Sequence, residues 1–194
     1  MKKNLLIAVA FVLAMTASLY AADTYAPDRA HSSVTFCVKH MVLSTVCGRF
    51  KDFDATILLD QSDITKSSFT GTIKTASIWT DHDQRDADLK SASFFDVEKY
   101  PEITFKSSKI EKTKDGYVAT GTLTMHGVSK DIQLPFTLTG PVNLGDKTKI
   151  GISATMTLNR QDYGISWAKK LDSGGLVVSD EVKVTIESEA ALKK

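Results

Sequence analysis

The sequence predicts an all-β fold in which eight antiparallel strands close into a barrel, with a short helix after the third strand. Three observations predict it. Apolar and polar residues alternate with a period of two through most of the chain, as in strands with one buried face. Short turn sequences such as Lys114-Asp115-Gly116 join these segments, so neighbours in sequence are antiparallel neighbours in space. The alternation of strands and helices that is typical of a parallel sheet is not found.

Eight segments carry the strand pattern. The clearest contains Ile150, Ile152, Ala154, Met156 and Leu158, with small or polar residues between them. The strands are long and mostly joined by tight turns, and closing the sheet removes its exposed edges, so a barrel is favoured over a sandwich. The predicted strands cover residues 33–39, 48–60, 67–79, 101–112, 116–127, 130–140, 148–160 and 178–190.

Two segments interrupt the strand pattern. Residues 81–93 are polar without alternation and predict a short helix, in which Leu89 faces the barrel. Phe94 and Phe95 follow it, and adjacent side chains on a regular element point in different directions. We therefore expect one of them to anchor the helix and the other to line the interior. Residues 161–177 form a long loop whose aromatic side chains predict order and a role at one end of the barrel.

The first 21 residues are predicted to be a signal peptide. Lys2 and Lys3 precede a largely apolar run at residues 5–19, which is short for a membrane span and typical of a secretory signal. Cleavage is expected after Ala21 or one residue later, and no cysteine stands there for a lipid anchor. Residues 22–194 are then expected to form a single exported domain, periplasmic and without stable membrane insertion.

The charge balance argues against nucleic acid as a partner. Residues 1–21 contain two lysines and no acid, so 22 basic side chains remain against 23 acidic ones in residues 22–194. A chain of this length buries a sizeable core as one domain. Its net charge, close to −1, offers no general attraction for a polyanion.

Cys37 and Cys47 flank a turn in a predicted hairpin. Val34, Phe36 and Val38 alternate on one face of the first strand, which places Cys37 on the other face. Cys47 falls on the same outward face of the next strand, within reach of a disulfide, and an oxidising periplasm would permit the bond. Two separate thiols are the alternative. A thiol redox enzyme is disfavoured, because the spacing is not that of a Cys-x-x-Cys motif.

No group of residues in the sequence predicts catalysis or a metal site. The four histidines are scattered without metal-binding spacing, and neither a Gly-x-Ser-x-Gly elbow nor a phosphate-binding loop is found. We therefore expect a protein that is not an enzyme and that uses no cofactor. His82, between Asp81 and Asp83, is interpreted as part of an acidic helix start, with a weak metal site as the alternative. His31 and Arg85 are candidates for contacting a polar ligand head group, with structural hydrogen bonds or ion pairs as the alternative.

Small residues at inward positions favour a cavity inside the barrel. An eight-stranded barrel is just wide enough either to be filled by large side chains or to hold one small ligand. Gly71, Ala119, Gly121 and Ala154 interrupt the inward columns, which favours the second arrangement. A tapered core, in which small residues pack against large ones, is the alternative.

Several motifs in sequence order make the chain resemble the YceI-like family. The most specific is RDADLKSASFFDVEKYPEITF at residues 85–105. HSSVTFCVKHMVLSTVCGRF at residues 31–50 resembles the opening strand, short helix and second strand of that family. The further motifs are GTLT at residues 121–124, GVSK at 127–130, Asn159-Arg160, Tyr163-Gly164 and Asp180-Glu181-Val182. The resemblance covers nearly the whole chain after the predicted signal peptide.

The resemblance implies an extended, lipocalin-like antiparallel barrel with a hydrophobic tunnel. The implied ligand is a long-chain lipid: a polyisoprenoid, such as a prenylated quinone precursor, or a fatty acid or its amide. Binding or carriage of this lipid in the periplasm is the implied function. The side chains that we expect to line the tunnel are Phe36, Phe50, Ile73, Leu89, Phe94, Phe105, Leu123, Phe136, Met156 and Trp167.

The chain departs from the family pattern in two places. The family usually lacks cysteines at the positions of Cys37 and Cys47, so the resemblance implies no role for them. Trp79 stands where a smaller polar residue is more usual, and an inward Trp79 would shorten the tunnel.

Two other functions stay open. In a quinone-linked redox accessory protein, the bound head group reacts and the protein supplies only the site. A plugged barrel would instead be a structural or stress-related interaction module, with a filled core and an exposed apolar patch. A homodimer is compatible with a barrel of this kind, although the sequence shows no interface.

Overall fold

The computed structural model describes residues 22–172 and 175–193, and the predicted signal peptide at residues 1–21 lies outside these ranges. The strands are β1 (Asp23–His40), β2 (Ser44–Phe50), β3 (Phe53–Leu59), β4 (Ser68–Lys74), β5 (Ile78–Trp79), β6 (Glu102–Thr113), β7 (Gly116–Met125), β8 (Val128–Leu144), β9 (Lys147–Asn159) and β10 (Val178–Leu192). Helix α1 spans Asp83–Lys90, and short 3-10 turns cover Ile64–Lys66, Thr75–Ser77 and Arg160–Tyr163.

The strands form one antiparallel sheet that closes on itself. Its order runs β10-β9-β8-β7-β6-β4-β3-β1, and β10 pairs with β1 to complete the barrel. The long strand β1 pairs with β3 through residues 23–25 and with β2 through residues 34–40. β2 and β3 therefore occupy one position around the barrel, and β5 extends β4 to pair with β2. The predicted eight-stranded barrel, with its helix after the third strand, is confirmed.

The first strand begins ten residues earlier than the sequence pattern predicts. Tyr25 pairs with Ile57 of β3 and with Leu192 of β10, so both neighbouring strands hold this segment in the sheet. The register shifts between Pro27 and Ser32, where the alternation of the sequence is also lost. A turn at residues 41–43, rather than the short helix that the family resemblance implies, joins β1 to β2.

Helix α1 is polar and is held by its ends more than by an apolar face. The ring of His82 caps it by accepting a hydrogen bond from the backbone N–H of Arg85, and Asp83 and Asp86 lie in its first turn, where acids suit the helix dipole. Asp86 is buried and accepts hydrogen bonds from the backbone N–H and the hydroxyl of Thr80. Across the described ranges, no helix has the length and apolar composition needed to cross a membrane.

The two ends of the barrel are packed differently. At the end where β1 begins, Tyr25, Leu59 and Ile150 are at most 2% exposed and fill the interior together with Ile57 and Ala190. At the opposite end lie α1, the segment after it, and the loop that precedes β10. The barrel is thus solid at one end and surrounded by irregular segments at the other.

Candidate functional site

The barrel encloses a cavity of about 670 Å³. This volume falls in the range of about 300–1,000 Å³ that is usual for a site holding one small molecule. The walls are mostly aliphatic and aromatic side chains from the strands, and Ile57 belongs both to the packed end and to the cavity lining. The side chains predicted to line a tunnel all border the cavity: Phe36, Phe50, Ile73, Leu89, Phe94, Phe105, Leu123, Phe136, Met156 and Trp167. Contact of these residues with a lipid stays a prediction.

Strand β10 supplies a part of the wall that the sequence analysis missed. Val182, Val184 and Ile186 alternate along it and border the cavity. Phe53 on β3 and Phe69 on β4 also border the cavity. The period-two pattern that located these strands also identified their inward faces, so the signal for these residues was present in the sequence.

Gly71 leaves open space in the wall of the cavity. It pairs with Ala55 on one side and Phe105 on the other. A Cβ atom built on Gly71 would meet only the carbonyl oxygen of Asp54, at 3.8 Å, so the space in front of it is open. The pairing of Gly71 with Ala55 therefore places two small residues side by side in the wall.

The other small inward residues have filled surroundings. A Cβ atom on Gly121 would lie 2.8 Å from the ring of Phe105, and Ala119 and Ala154 are buried in a cluster with Phe136. Both arrangements that the sequence left open are therefore present: a cavity beside Gly71 and a tapered core at the remaining positions.

Two aromatic contacts organise the open end of the cavity. Phe95 packs edge-on against Phe50, with ring centroids 5.8 Å apart, and Phe94 lies 5.4 Å from Trp167 of the loop before β10. All four side chains border the cavity. The expectation that only one phenylalanine of the pair faces inward is wrong, because the chain after α1 folds into turns in which both rings reach the barrel.

Arg85 supplies a cationic group at the same end. Its Nε donates to the hydroxyl of Thr80 at 2.8 Å and its Nη2 donates to the Thr80 carbonyl at 2.7 Å. Arg85 borders the cavity together with Asp88, Ser91 and Ser93. None of the ion pairs among the described residues involves Arg85. Hydrogen bonds to Thr80 orient the guanidinium, and within residues 22–172 and 175–193 no carboxylate pairs with its charge.

Arg160 is a second cationic side chain beside the cavity, and it differs from Arg85 in being buried and paired with a carboxylate. It is 4% exposed, its Nη1 donates to the carbonyl of Ile165 at 2.6 Å, and its Nη2 pairs with Asp180 at 2.8 Å. Burial lowers the pKa of Arg160, and the nearby Asp180 opposes that effect. These bonds tie the loop to the start of β10. The sequence alone predicts no structural role for Arg160.

His31 lies outside the cavity, on an exposed part of β1. Its Nδ1 is 3.1 Å from Asp28, and Lys149 pairs with both Asp28 and Glu189, at 2.8 and 2.9 Å. The ammonium of Lys149 lies between the carboxylates, so this group is an ion-pair cluster that joins β1, β9 and β10. A head-group contact for His31 gains no support from this position, and the structural alternative fits it.

The residues at which the sequence departs from the family pattern, Trp79, Cys37 and Cys47, lie on the outer surface of the barrel. Trp79 lies between the cations of Arg49 and Lys51, at 4.7 and 4.3 Å from its ring centroid, and does not border the cavity. It therefore leaves the length of the cavity unchanged. Cys37 and Cys47 occupy directly paired positions of β1 and β2, with Cα atoms 4.1 Å apart, and form a disulfide. The predicted bond is confirmed.

The comparisons with known proteins agree with this architecture. A model of the YceI-like domain matches residues 25–190. A UPF0312 protein of Staphylococcus aureus is 33% identical over 171 residues, which is 86% of this chain and 96% of that protein. The solved Campylobacter jejuni YCEI protein is 36% identical with a TM-score of 0.70, covering 80% of this chain and 90% of that one. A polyisoprenoid binding domain from Saccharophagus degradans has the same fold at 16% identity, with a TM-score of 0.63 over 89% of this chain and 99% of that one.

Proposed function

Because this chain belongs to the YceI-like family, we propose that it binds a long-chain apolar lipid inside its barrel and carries or stores that lipid in the periplasm. The observation that carries the proposal is the cavity of about 670 Å³ with an aliphatic and aromatic wall. The polyisoprenoid binding named for the Saccharophagus degradans domain supports the ligand class, although at 16% identity the likeness itself reaches only the fold.

Affinity in such a site comes from the tail. Each methylene group transferred from water to the cavity contributes about 0.8 kcal/mol, so a chain that fills the cavity binds without many polar contacts. The wall between Ile57 and Phe94 contains few polar groups that could distinguish one ligand from another. The site therefore selects length and shape, and polyisoprenoids, fatty acids and fatty amides are all candidate ligands.

The head group is proposed to lie at the end that contains Arg85. The guanidinium is oriented by Thr80 and lacks a carboxylate partner among the described residues, and Asp88, Ser91 and Ser93 add polar atoms to the same rim. A carboxylate, an amide carbonyl or a quinone oxygen would accept hydrogen bonds there. A quinone would correspond to the redox accessory function, in which the chemistry belongs to the ligand. In every case the protein binds without forming a covalent bond.

Native mass spectrometry of residues 22–194, purified from the periplasm without detergent, tests the proposal. A stoichiometric long-chain adduct, identified after organic extraction, is the expected result, and its head group would distinguish a quinone from a plain lipid. A clean apo mass, combined with no uptake of added prenyl or acyl chains, would overturn the proposal and favour an interaction module.

A further inference from the structure

The turn between β1 and β2 exposes three consecutive apolar side chains. Met41, Val42 and Leu43 are 39%, 73% and 88% exposed. The backbone N–H of Leu43 donates to the carbonyl of His40, and both central residues are left-handed, with φ of 52° at Met41 and 63° at Val42. In the β-turn of residues 40–43 both central positions have positive φ, which favours Asn and Gly there, and a β-branched residue at positive φ is an outlier. Apolar side chains thus occupy positions that the backbone geometry disfavours.

Two short segments, residues 169–172 and 175–177, pair with each other beside this turn. Lys170 bridges to Leu176, and the N–H of Val177 donates to the carbonyl of Lys169. The N–H of Met41 in turn donates to the carbonyl of Val177, at 2.8 Å. A Cβ atom on Gly175 would lie 3.4 Å from a methyl group of Val42. We call residues 41–43, 169–172 and 175–177 together the mouth tip.

The mouth tip borders the entrance of the cavity. His40, immediately before the exposed turn, lines the cavity, as do Val177 and Val178, where the second paired segment leads into β10. Trp167, which lines the cavity opposite Phe94, lies two residues before Lys169. Whatever surface the mouth tip touches therefore lies next to the point where a ligand enters.

The charges of the mouth tip and its immediate flank are mainly positive. Lys39, Lys169 and Lys170 are exposed, and none of them takes part in an ion pair among the described residues. Asp172 is the one acidic side chain in the described part of these segments. Exposed apolar side chains surrounded by lysines match the surface of a bilayer with anionic head groups, where the apolar part enters the interface and the ammonium groups meet phosphates.

We propose that the mouth tip docks this protein on an anionic phospholipid bilayer and so places the cavity entrance at the membrane surface. Its purpose, the loading or delivery of a lipid, rests on the proposed function. The docking itself rests on the three apolar side chains and the lysines. Disulfide Cys37–Cys47 joins the two strands directly behind the turn, so the hairpin presents its tip as a rigid unit.

The test is binding of residues 22–194 to vesicles, measured by co-flotation, with phosphatidylcholine alone and with added phosphatidylglycerol. The double variant Met41→Asn/Val42→Gly introduces the preferred turn sequence and removes two apolar side chains, so it should fold at least as well as the wild type. We expect it to bind anionic vesicles at least roughly tenfold more weakly. The double variant Lys169→Gln/Lys170→Gln should lose roughly 30-fold on anionic vesicles and little on neutral ones.

The opposite end of the barrel provides a matched control. Val142 and Leu144, near the β8–β9 turn, are 50% and 56% exposed, and Val142→Thr/Leu144→Thr should leave vesicle binding unchanged. If Met41→Asn/Val42→Gly binds anionic vesicles as strongly as the control Val142→Thr/Leu144→Thr, the proposal is overturned, and so it is if the wild-type protein binds no vesicles. A wild-type dimer that dissociates in the Met41→Asn/Val42→Gly variant would also overturn it and assign the tip to a second copy of the chain. The lipid content of the Met41→Asn/Val42→Gly variant tests the cavity separately, because neither substitution alters the cavity wall.

Discussion

The rings of Phe94 and Trp167 lie 5.4 Å apart, although Phe94 follows helix α1 and Trp167 belongs to the loop before β10. Both side chains also line the cavity. Their contact joins the two irregular segments across the open end of the barrel. A ligand that enters or leaves at this end passes between these segments, so we expect the contact to govern exchange.

Replacing Trp167 with alanine should accelerate ligand exchange. An aromatic pair contributes about 0.5–1.5 kcal/mol beyond its buried area, which corresponds to roughly 3- to 10-fold in rate when that contact must open first. Stopped-flow displacement of a fluorescent fatty acid measures the effect. Trp79→Ala removes the same side chain from the outer surface, where it contacts Arg49 and Lys51, and should leave the rate unchanged. Equal rates in both variants and the wild type would contradict the role given to Trp167.

Replacing Gly71 with leucine should fill the cavity and leave the fold intact. The space in front of Gly71 is open, and a strand residue with a side chain is favoured over glycine. We expect ligand stoichiometry in native mass spectra to fall severalfold, with thermal stability equal to that of the wild type or higher. Gly151, whose strand partner Thr139 is exposed, faces outward, so Gly151→Leu is the control. Undiminished lipid in Gly71→Leu would place the ligand elsewhere.

Replacing Arg85 with glutamine should separate ligands by head group. Hydrogen bonds to a charged group contribute about 1.5–3 kcal/mol, so affinity for a fatty acid should fall roughly 10- to 100-fold. Affinity for a prenyl or alkyl chain without an acidic head should change little. Isothermal titration calorimetry with a fatty acid, and with an alcohol that carries the same chain, measures both affinities. A parallel loss for the two ligands would mean that Arg85 supports the rim and does not contact the head group.

Removal of the disulfide should destabilise the barrel without altering the cavity. Cys37 and Cys47 are separated by 10 positions, and a crosslink that closes a loop of this length contributes about 2–3 kcal/mol in the chain-entropy model. Cys37→Ser/Cys47→Ser should therefore lower the free energy of unfolding in urea by about that amount. Lipid content should be retained, because both sulfurs lie on the outer face. Identical urea curves for variant and wild type would contradict this prediction.

The ion-pair cluster on β1 predicts a dependence of stability on pH. Hydrogen bonds from Lys149, His31 and the backbone N–H of Ala30 hold the pKa of the Asp28 carboxyl well below its usual range. Such a carboxylate stabilises the fold at pH values above its unfolded-state pKa of about 3.9, and that contribution disappears as the pH falls through the lowered folded-state pKa. Asp28→Asn should unfold at lower urea concentration than the wild type at neutral pH. The difference should shrink below about pH 4, and a constant difference would contradict the assignment.

The barrel and most of its wall were predictable from the sequence because the signal is local. Ile150, Ile152 and Ala154 alternate visibly within one strand, and the turns between strands contain ordinary turn residues. The beginning of β1 was not predictable, because pairing of Tyr25 with Ile57 and Leu192 holds it in the sheet. That pairing joins distant parts of the chain, and no pattern within residues 23–32 records it.

The rim of the cavity was predictable only in part. The sequence identified Phe94, Arg85 and Trp167 as candidates, but their mutual positions depend on turns after α1 and on the loop before β10. Arg160 is an example of what the sequence does not reveal. Its guanidinium is buried where it donates hydrogen bonds to the Ile165 carbonyl and to Asp180. A single arginine at the end of a strand gives no sign of such a partner set in the sequence.

The packed end of the barrel gives the cavity a floor. Tyr25, Leu59 and Ile150 are almost inaccessible there, so within the described part of the chain these side chains would stop a bound tail from leaving through that end. The part of a tail that exceeds the depth of the cavity would stay outside, on the side of Phe94 and Trp167. The barrel would then discriminate by tail length. A tail no longer than the depth of the cavity would be removed from water entirely, and each additional unit of a longer tail would remain exposed. Under the proposed function, a tail would enter with its last carbon first and leave with its head group first, so loading and unloading would follow one route in opposite directions.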